Sequence, residues 1–519
     1  MLVCRGANLE HAMADQKIAE PDIADRLARL IDDDGMEGIA GPVKRFETHL
    51  SHVILAGDRA FKLKKPVRMP FVDFSTLERR HAACQIEVEI NRRMGSPLYL
   101  GVVALTEQDD GSLELDGDGT TIDWAVMLRR FDSAQQFDIL AEAGKLDDEL
   151  ALRTADRIVG MHAGLKPVRT SGHAADYRKV IRDLHATEVE GAAALGVSIG
   201  EPSPYDALDR ALAHVDPLIE ERRMAGKVRR THGDLHLRNI CLFEGEVTPF
   251  DALEFDERLA TTDVLYDLAF LLMDMRAAGL TRQANIVMNR YWDSAREDEE
   301  ALALLPFFMA LRAAVRMAVA VEAGNLAEAQ TYRQLCLDVF APERPVLIAI
   351  GGLSGSGKST IARELAQQLP GPAGARLLRS DVIRKQSMAW SPELARADGS
   401  AYVPERRAQV YRELGEHAAK AVSAGASVIA DATFGISSAR EALTRVKGAS
   451  CYAFWLRLPL ATRLARISGR GKDASDADVS VAIGQVEPCN LGEEWQVLDA
   501  SGEVGAVVRQ ILQEVATQP

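Results

Sequence analysis

The stretch GLSGSGKS at residues 352–359 fits the pattern GxxxxGK followed by Ser or Thr at every position. An apolar run at 346–350, typical of a buried strand, precedes it, and a helix-forming segment at 359–369 follows it. Between a strand and a helix, this pattern forms a loop whose backbone N–H groups surround a phosphate. The last third of the chain is therefore predicted to be an α/β domain with a parallel sheet. The expected nucleotide-binding residues are Gly352, Ser354, Gly355, Ser356, Gly357, Lys358, Ser359 and Thr360.

Two aspartates at the ends of strand-like runs, Asp381 and Asp431, are predicted to lie beside this loop. In an open parallel sheet, the carboxyl ends of the strands face the ligand crevice. We expect Ser359 and Asp431 to bind Mg²⁺, with Lys358 on the β- and γ-phosphates. Asp381 is the candidate base that takes a proton from an acceptor hydroxyl.

Two arginines follow later in this domain. Arg466 and Arg470 lie four positions apart on a predicted helix and so share a face. The glycines that flank Arg470 indicate a mobile lid, which would bring both cations over the transferring phosphate. A solvated helix face is the alternative interpretation of this pair.

A second motif, HGDLHLRN, occupies residues 232–239. It carries H-x-D with an asparagine five positions after the aspartate, the spacing of a protein-kinase catalytic loop. With this spacing, Asp234 can orient and deprotonate an acceptor hydroxyl while Asn239 holds Mg²⁺. The two strands and the turn predicted over 240–250 then deliver Asp251 as a second metal ligand.

The sequence around this motif resembles the aminoglycoside phosphotransferase family, which shares the protein-kinase fold. The resemblance spans about 40–340 and includes TDVLYDLA at 262–269. It implies a small β-rich N-lobe and a helical C-lobe. Within the second stretch, Asp263 and Asp267 are expected to cap a helix and anchor a loop.

The same resemblance places a phosphate-binding lysine in the segment 59–65, RAFKLKK. Lys62 is the first choice and Lys64 the second, since either side chain could face ATP. Their expected ion-pair partner is Glu87 in the following predicted helix, with Glu89 in reserve. The sequence lacks the GxGxxG loop before this strand, which leaves open a domain that binds nucleotide but transfers poorly.

The last third resembles small P-loop kinases of the AAA type, and with them polynucleotide kinases, gluconate kinases and zeta toxins. The resemblance is carried by SDVIRK at 380–385, VIADATF at 428–434 and Gln485. It implies that Asp381 and Arg384 face the acceptor. The order of the two modules resembles bacterial proteins that combine an aminoglycoside phosphotransferase-like domain with an ATP-binding domain.

The chain is therefore predicted to contain an N-terminal protein-kinase-like α+β domain and a C-terminal P-loop α/β domain. Two prolines mark the linker between them, because proline stops a helix. The predicted boundaries are a helical extension at 1–40, the first domain at 41–340, the linker at 341–345 and the second domain at 346–519.

Composition limits the class of protein. A net charge of -15 and a pI of about 5.3 favour solubility and argue against a nucleic-acid or membrane partner, although the P-loop site stays open to a nucleic-acid end. Six scattered cysteines indicate a reducing compartment, and we expect a cytoplasmic protein. The apolar run 302–321 contains Arg312 and Arg316, so we expect a buried helix there and no membrane span. The sequence indicates no particular oligomeric state.

These features predict a phosphotransferase with two nucleotide sites. Each site would use ATP or GTP with Mg²⁺ and transfer the γ-phosphoryl group to a hydroxyl of a small molecule. A regulatory nucleotide-binding or toxin-like protein, in which one module controls the other, is the alternative. The acidic residues near the first site fit either a cationic or polyhydroxyl acceptor or a structural loop; they are Asp251, Glu254, Asp256 and Glu257.

Overall fold

The chain forms two compact units. The computed structural model describes residues 23–34, 43–69, 72–196, 202–341, 344–387, 404–444, 446–468 and 479–517. The first unit comprises Met1–Ala278 and Phe308–Leu337, and the second comprises Gly279–Phe307 and Asp338–Pro519.

The first unit begins with a helix and an antiparallel sheet. Its elements there are α1 (Ile23–Asp34), β1 (Lys44–Glu47), β2 (Ser51–Ala56), β3 (Arg59–Lys64), β4 (Arg68–Met69), β5 (Val72–Asp73), α2 (Leu77–Arg93), β6 (Tyr99–Glu107), β7 (Leu113–Leu115) and β8 (Thr120–Arg129). The described strands of the main sheet have the order β1-β2-β3-β8-β6-β7, and each neighbouring pair is antiparallel. Strands β4 and β5 form a separate pair. This sheet and α2 form the small β-rich lobe that the sequence predicted.

Strand β3 carries the two candidate lysines between β2 and β8. Successive side chains of a strand point to opposite faces. Phe61 and Leu63 face a core cluster that includes Leu27 of α1. Lys62 and Lys64 therefore lie together on the other face, where they meet α2.

The rest of the first unit is mainly helical, with two short strand pairs. Its elements in chain order are α3 (Phe137–Glu142), α4 (Asp148–Ala163), α5 (Ala174–Leu195), α6 (Pro204–Met224), β9 (Val228–Arg230), β10 (Ile240–Phe243), β11 (Glu246–Pro249), α7 (Glu257–Ala260), β12 (Thr261–Asp263), α8 (Val264–Ala277), α10 (Leu304–Glu322) and α11 (Leu326–Asp338). Helix α9 (Thr281–Ala295) lies between α8 and α10 in the chain but belongs to the second unit. Strands β10 and β11 form the antiparallel hairpin that the sequence predicted after the 232–239 motif. Strand β9 pairs with β12.

One helical stretch, Glu299–Glu322, is long and apolar enough to cross a membrane when only length and composition are considered. Within it, an apolar stretch of 18 residues is 94% buried inside the protein. The guanidinium of Arg312 lies 3.7 Å from the centroid of the Tyr266 ring, and Arg316 pairs with Glu328 at 2.9 Å. Burial of this kind is typical of a core helix, as the sequence predicted for this run.

The second unit is an α/β domain. Its further elements are β13 (Val346–Gly352), α12 (Lys358–Ala366), β14 (Arg376–Arg379), α13 (Ser380–Ser387), α14 (Pro404–Ser423), β15 (Val428–Asp431), α15 (Ser437–Thr444), β16 (Ser450–Arg457), α16 (Leu460–Ser468), α17 (Val479–Gly484), β17 (Trp495–Asp499) and α18 (Val504–Thr517). The described strands have the order β14-β15-β13-β16-β17, and all neighbouring pairs are parallel. The apolar core includes Ile348, Leu365 and Phe454. The predicted parallel α/β fold is therefore confirmed.

Helix α9 packs along β14, the outer strand of this sheet. Arg376 of β14 is buried, with Nη2 2.7 Å from Asp293 Oδ1 and Nε 3.0 Å from Glu299 Oε2. The segment Gly279–Phe307 belongs to the second unit. Buried polar contacts such as these stabilise its packing against the sheet. The boundaries drawn from the sequence had placed it in the first domain.

Candidate active sites

In the first unit, a lysine, a glutamate and an aspartate from distant parts of the chain meet. Lys62 Nζ lies 2.9 Å from Glu87 Oε1 and 2.5 Å from Asp251 Oδ1. Glu87 is fully buried on α2, whereas Asp251, which follows the β10–β11 hairpin, keeps 27% of its side chain exposed. The reserve candidate Glu89 is exposed and pairs with Arg93. The structure thus brings together the predicted phosphate lysine, its predicted partner and the predicted metal carboxylate.

Lys64 lies deeper on the same face. Its Nζ lies 2.5 Å from Glu87 Oε2 and also pairs with Glu254. The side chain of Lys64 is 1% exposed, compared with 15% for Lys62. Burial alone would lower the pKa of either lysine, but the surrounding carboxylates outweigh burial and raise both pKa values. Lys62 is therefore the lysine that reaches Asp251, and Lys64 is the buried counter-ion of two glutamates.

Asp251 has a backbone φ of 61°, in the left-handed region that non-glycine residues rarely adopt. Tyr99 Oη accepts a hydrogen bond from the Asp251 N–H at 3.0 Å, and Asn91 Oδ1 accepts one from the Ala252 N–H at 3.1 Å. Burial would raise the pKa of Asp251, but the Lys62 ammonium outweighs it and holds that pKa below its ordinary value. The sequence did not predict the contacts of Tyr99 and Asn91, because no local pattern marks residues whose hydrogen-bond partners are far away in the chain.

Asp234 and Asn239 are held together in the buried loop between β9 and β10. Asn239 Nδ2 donates to the Asp234 backbone oxygen at 2.9 Å and to Asp234 Oδ2 at 3.0 Å. His236 Nε2 lies 3.4 Å from the same carboxylate oxygen, and burial holds the pKa of His236 well below its ordinary value. Asp234, the candidate base, is thus next to the amide of Asn239, which is a candidate metal ligand, and to the uncharged imidazole of His236.

Asp267 of α8 anchors this loop. Its Oδ1 accepts from the Gly233 N–H at 2.9 Å, and its Oδ2 accepts from the His232 N–H at 3.2 Å. Asp263 caps α8 by accepting from the Leu265 N–H at 2.8 Å. Both aspartates therefore have the structural roles expected from the sequence.

Acidic residues after Asp251 also make structural contacts. Glu254 pairs with Lys64, and Asp256 caps α7 by accepting from the Arg258 N–H at 2.9 Å. Burial would raise the pKa of Glu254, but Lys64 outweighs burial and lowers it. For these two residues, the structure favours the structural-loop interpretation that the sequence left open.

In the second unit, the loop at 352–359 joins β13 to α12 and approaches other backbone closely. Gly355 and Gly357 have φ values of 82° and 88°. A Cβ on Gly355 would lie 2.6 Å from the Arg463 backbone oxygen, and a Cβ on Gly352 would lie 2.8 Å from the Leu456 backbone oxygen. Backbone atoms occupy the space that a side chain would need, so glycine is required at both positions. The predicted phosphate-binding loop therefore has the expected shape.

Two predicted magnesium ligands meet beside this loop. Ser359 Oγ donates to Asp431 Oδ2 at 2.6 Å. Asp431 ends β15, the strand next to β13, and Arg379 Nε lies 3.6 Å from the same carboxylate oxygen. Lys358 Nζ donates to the Leu353 backbone oxygen at 3.2 Å. The lysine and both oxygen ligands are thus grouped at the carboxyl edge of the sheet.

A cavity of about 790 Å³ opens in front of the loop. Its wall includes Asp381 and Arg384 of α13, which form an ion pair with each other. It also includes Arg407 and Tyr411 of α14, which sequence reasoning missed because no local motif marks them. Tyr411 Oη lies 2.8 Å from Thr433 Oγ1. The predicted base and the predicted acceptor-binding arginine therefore share one cavity with the phosphate-binding loop.

Ser354 within the loop is held by two later parts of the chain. Gln485 Oε1 accepts from the Ser354 N–H at 2.7 Å, and Gln485 Nε2 donates to Ser354 Oγ at 2.9 Å. Arg463 Nη1 of α16 donates to the Ser354 backbone oxygen at 3.2 Å. Gln485 was singled out only by the family resemblance, and nothing in the sequence predicted the contact of Arg463. The shape of the loop thus depends on partners that follow it by more than a hundred positions.

Arg466 lines the same cavity from α16, and its Nη2 donates to the Ala500 backbone oxygen at 3.2 Å. A Cβ on Gly357 would lie 3.3 Å from Arg466 Nη1. Arg466 is therefore beside the phosphate-binding loop. Arg470, the second predicted lid cation, lies outside the described residues.

Both sites offer groups that suit a nucleotide with magnesium. Among the described residues, no cluster of three or more His, Cys, Asp or Glu side chains could hold a metal alone. Magnesium at nucleotide sites is usually held by one or two carboxylates together with phosphate oxygens. Asp251 with Asn239, and Asp431 with Ser359, would supply such oxygens. Gly355, Gly357, Lys358 and Ser359 line the cavity of the second site, where the phosphates would lie.

Residues 347–486 match the family model of the AAA domain. The second unit therefore carries an AAA domain. The AAA domain begins in β13 and takes in the phosphate-binding loop, Asp381, Asp431 and Gln485. The resemblance of the last third to AAA-type P-loop kinases is confirmed.

Most of the chain is similar to proteins of mycobacteria. Uncharacterized protein Rv2004c of Mycobacterium tuberculosis is 29% identical over 456 residues, which cover 84% of this chain and 88% of that protein. Uncharacterized protein Mb2027c of Mycobacterium bovis has the same identity and coverage.

Solved kinase structures are similar to parts of the chain. A sugar kinase from Janibacter is 22% identical, with coverage of 34% of this chain and 96% of that chain and a TM-score of 0.28. A choline/ethanolamine kinase family protein from Mesorhizobium loti is 15% identical, with coverage of 61% and 94% and a TM-score of 0.39.

Proposed function

We propose that this protein is an ATP- and Mg²⁺-dependent phosphotransferase with two nucleotide sites. Each site would transfer the γ-phosphoryl group to a hydroxyl of a small molecule. The observation that carries the proposal is the contact of Lys62 Nζ with Asp251 Oδ1 at 2.5 Å and with Glu87 Oε1 at 2.9 Å. This contact joins the strand, the helix and the hairpin that a protein-kinase-type site requires. The AAA domain, with its phosphate-binding loop, supports the second site.

At the first site, Lys62 would neutralise phosphate charge while Glu87 holds its ammonium in place. Asp251 and Asn239 would hold magnesium. Asp234 would orient the acceptor hydroxyl and take its proton as the acceptor oxygen bonds to the γ-phosphorus. The bond between that phosphorus and the bridging oxygen of the leaving diphosphate breaks in the same reaction. When bound, MgATP supplies the phosphoryl group and the divalent charge.

At the second site, backbone N–H groups of the loop and Lys358 would hold the nucleotide phosphates. Ser359 and Asp431 would hold magnesium, and Arg466 would stabilise the negative charge of the transferring group. Asp381 would take the proton of the acceptor hydroxyl, with Arg384 beside it. The two sites would thus perform the same kind of reaction with unrelated folds.

The test is ADP production by the purified full chain with MgATP and a panel of sugars, nucleosides, phenols and aminoglycosides. We compare the unmodified protein with Asp234→Ala, Lys358→Ala and the double variant. Matched controls are Asp209→Ala and Lys447→Ala, which change exposed residues of the first and second unit. We expect acceptor-stimulated turnover that falls in one single variant or both, stays in the controls, and is abolished in the double variant.

Turnover that no acceptor stimulates, and that neither substitution changes, would contradict the proposal. Inhibition of one site by nucleotide at the other, without any acceptor, would favour the regulatory alternative.

A further inference from the structure

The cationic side chains that line the cavity of the second unit differ in their surroundings. They are Lys358, Arg384, Arg407 and Arg466. Lys358 belongs to the phosphate-binding loop, and Arg466 lies against Gly357 of the same loop. Both would therefore lie beside the phosphates of a bound nucleotide.

Arg384 has its charge balanced within its own helix. It pairs with Asp381, three positions earlier. Both residues follow β14, which β15 separates from the strand that carries the loop. Because Asp381 is the proposed base for the acceptor hydroxyl, this side of the cavity is the acceptor side.

Arg407 lies on α14 and is exposed. In the part of the chain that the structure describes, it has no ion-pair partner. Burial raises the pKa of Tyr411, while its hydrogen bond to Thr433 and the charges of Arg407 and Arg384 lower it. Arg407 and Tyr411 lie four positions apart on α14 and so share a face of the helix, and both line the cavity together with Arg384.

We propose that Arg407 binds an anionic group of the acceptor, a carboxylate or a phosphate ester, and so selects acceptors that carry such a group besides the hydroxyl. This inference rests on the proposed function of the second site. The planar guanidinium can form two parallel charge-assisted hydrogen bonds to either anion. A neutral acceptor would offer this guanidinium no opposite charge. The acceptor would then lie with its hydroxyl at Asp381 and its anion at Arg407.

The test uses the full chain with Asp234→Ala, so that turnover comes from the second site. Acceptors are compared in two matched sets: D-glucose, D-gluconate and D-glucose 6-phosphate; D-ribose, D-ribonate and D-ribose 5-phosphate. ADP production gives kcat/KM, and calorimetry with a non-hydrolysable ATP analogue gives acceptor affinity. We expect a preference for an anionic member of about 10- to 100-fold, which Arg407→Gln removes. The carboxylate and phosphate arms show which anion is recognised.

Arg407→Lys keeps the charge but loses the paired geometry, so we expect an intermediate preference. Arg406→Gln is the control, since Arg406 is an exposed neighbour on α14 that does not line the cavity.

Equal use of neutral and anionic acceptors would overturn the inference and leave the proposed function standing. A uniform loss in Arg407→Gln across neutral and anionic acceptors would also overturn it, because Arg407 would then act on the transferring phosphate. Failure of every acceptor to bind or to stimulate turnover would overturn the inference and the proposed function of this site together.

Discussion

The side chain of Asn289 in α9 is hydrogen-bonded to the backbone of Leu377 in β14, where Asn289 Oδ1 accepts from the Leu377 N–H at 2.7 Å. The same amide donates through Nδ2 to the Ala375 backbone oxygen at 3.1 Å. Because β14 is the outer strand of the described sheet, the asparagine supplies hydrogen bonds that another strand would otherwise supply. We expect Asn289→Ala to destabilise the second unit, since a buried N–H left unsatisfied costs about 1–3 kcal/mol.

Urea unfolding followed by tryptophan fluorescence would measure this effect as a lower midpoint. Gln513→Ala, at an exposed position of α18, is the control and should unfold like the unmodified protein. An unchanged midpoint in Asn289→Ala would contradict the importance of this edge contact.

The two lysines of β3 should respond differently to substitution. Lys64→Met leaves the buried Glu254 without its paired cation and leaves Glu87 with Lys62 alone, which we expect to cost about 3–5 kcal/mol of stability. Lys62→Met keeps those pairs and leaves the partly exposed Asp251 without its partner, so a smaller loss of stability and a larger loss of nucleotide affinity are expected.

Thermal unfolding and calorimetry with a non-hydrolysable ATP analogue and Mg²⁺ would separate the two effects. The measurements are made in a Lys358→Ala background, so that the second site does not contribute. Lys179→Met, at an exposed position of α5, is the control. The assignment fails if Lys64→Met is as stable as the control protein while Lys62→Met still binds nucleotide normally.

Acid should destabilise the first unit through its buried histidines. Burial lowers the pKa of His232 from 6.5 to about 4. Between these values the unfolded chain binds the extra proton and the folded chain does not, so stability falls as the pH falls. The full effect of His232 is about 3 kcal/mol, at about 1.4 kcal/mol per pKa unit. His236, whose pKa is also lowered by burial, adds in the same direction.

The urea midpoint is measured from pH 7 to pH 5, above the range in which Asp251 and Glu254 titrate. We expect His232→Gln to show a shallower fall than the unmodified protein, and the exposed control His214→Gln to show the full fall. Identical pH dependence in His232→Gln and in the unmodified protein would refute this assignment.

Gln485 should position the phosphate-binding loop through Ser354. Gln485→Met keeps the length of the side chain but removes both hydrogen bonds to Ser354. We expect the nucleotide dissociation constant of the second site to rise about tenfold, with little change in overall stability. Calorimetry in an Asp234→Ala, Lys62→Met background reports that site alone.

Gln496→Met, at an exposed position of β17, is the control and should bind nucleotide normally. If Gln485→Met binds nucleotide like this control, the contact with Ser354 has no positioning role.

Much of both sites could be predicted because their central residues are close together in the chain. The spacing within 232–239 and within 352–359 is set by the loops themselves, whose backbones must turn over a few residues. The hairpin after the first motif and the strand and helix around the second are also local features, and the structure has all of them. Partners such as Tyr99 and Arg463 have no local signal and could not be predicted in this way.

By itself, the sequence determined the kinase-type loop at 232–239 and the phosphate-binding loop at 352–359. It also determined the antiparallel hairpin that leads to Asp251 and the parallel α/β fold of the last third. Tertiary structure alone decided which lysine meets Asp251. Lys62 and Lys64 are two positions apart and share one face of β3, so the alternation of side chains along a strand cannot distinguish them. It also decided that Glu254 is neutralised by Lys64 and that the segment Gly279–Phe307 belongs to the second unit. These outcomes depend on which buried charges and unpaired backbone groups come within a few ångströms of each other, and that proximity exists only after long-range packing.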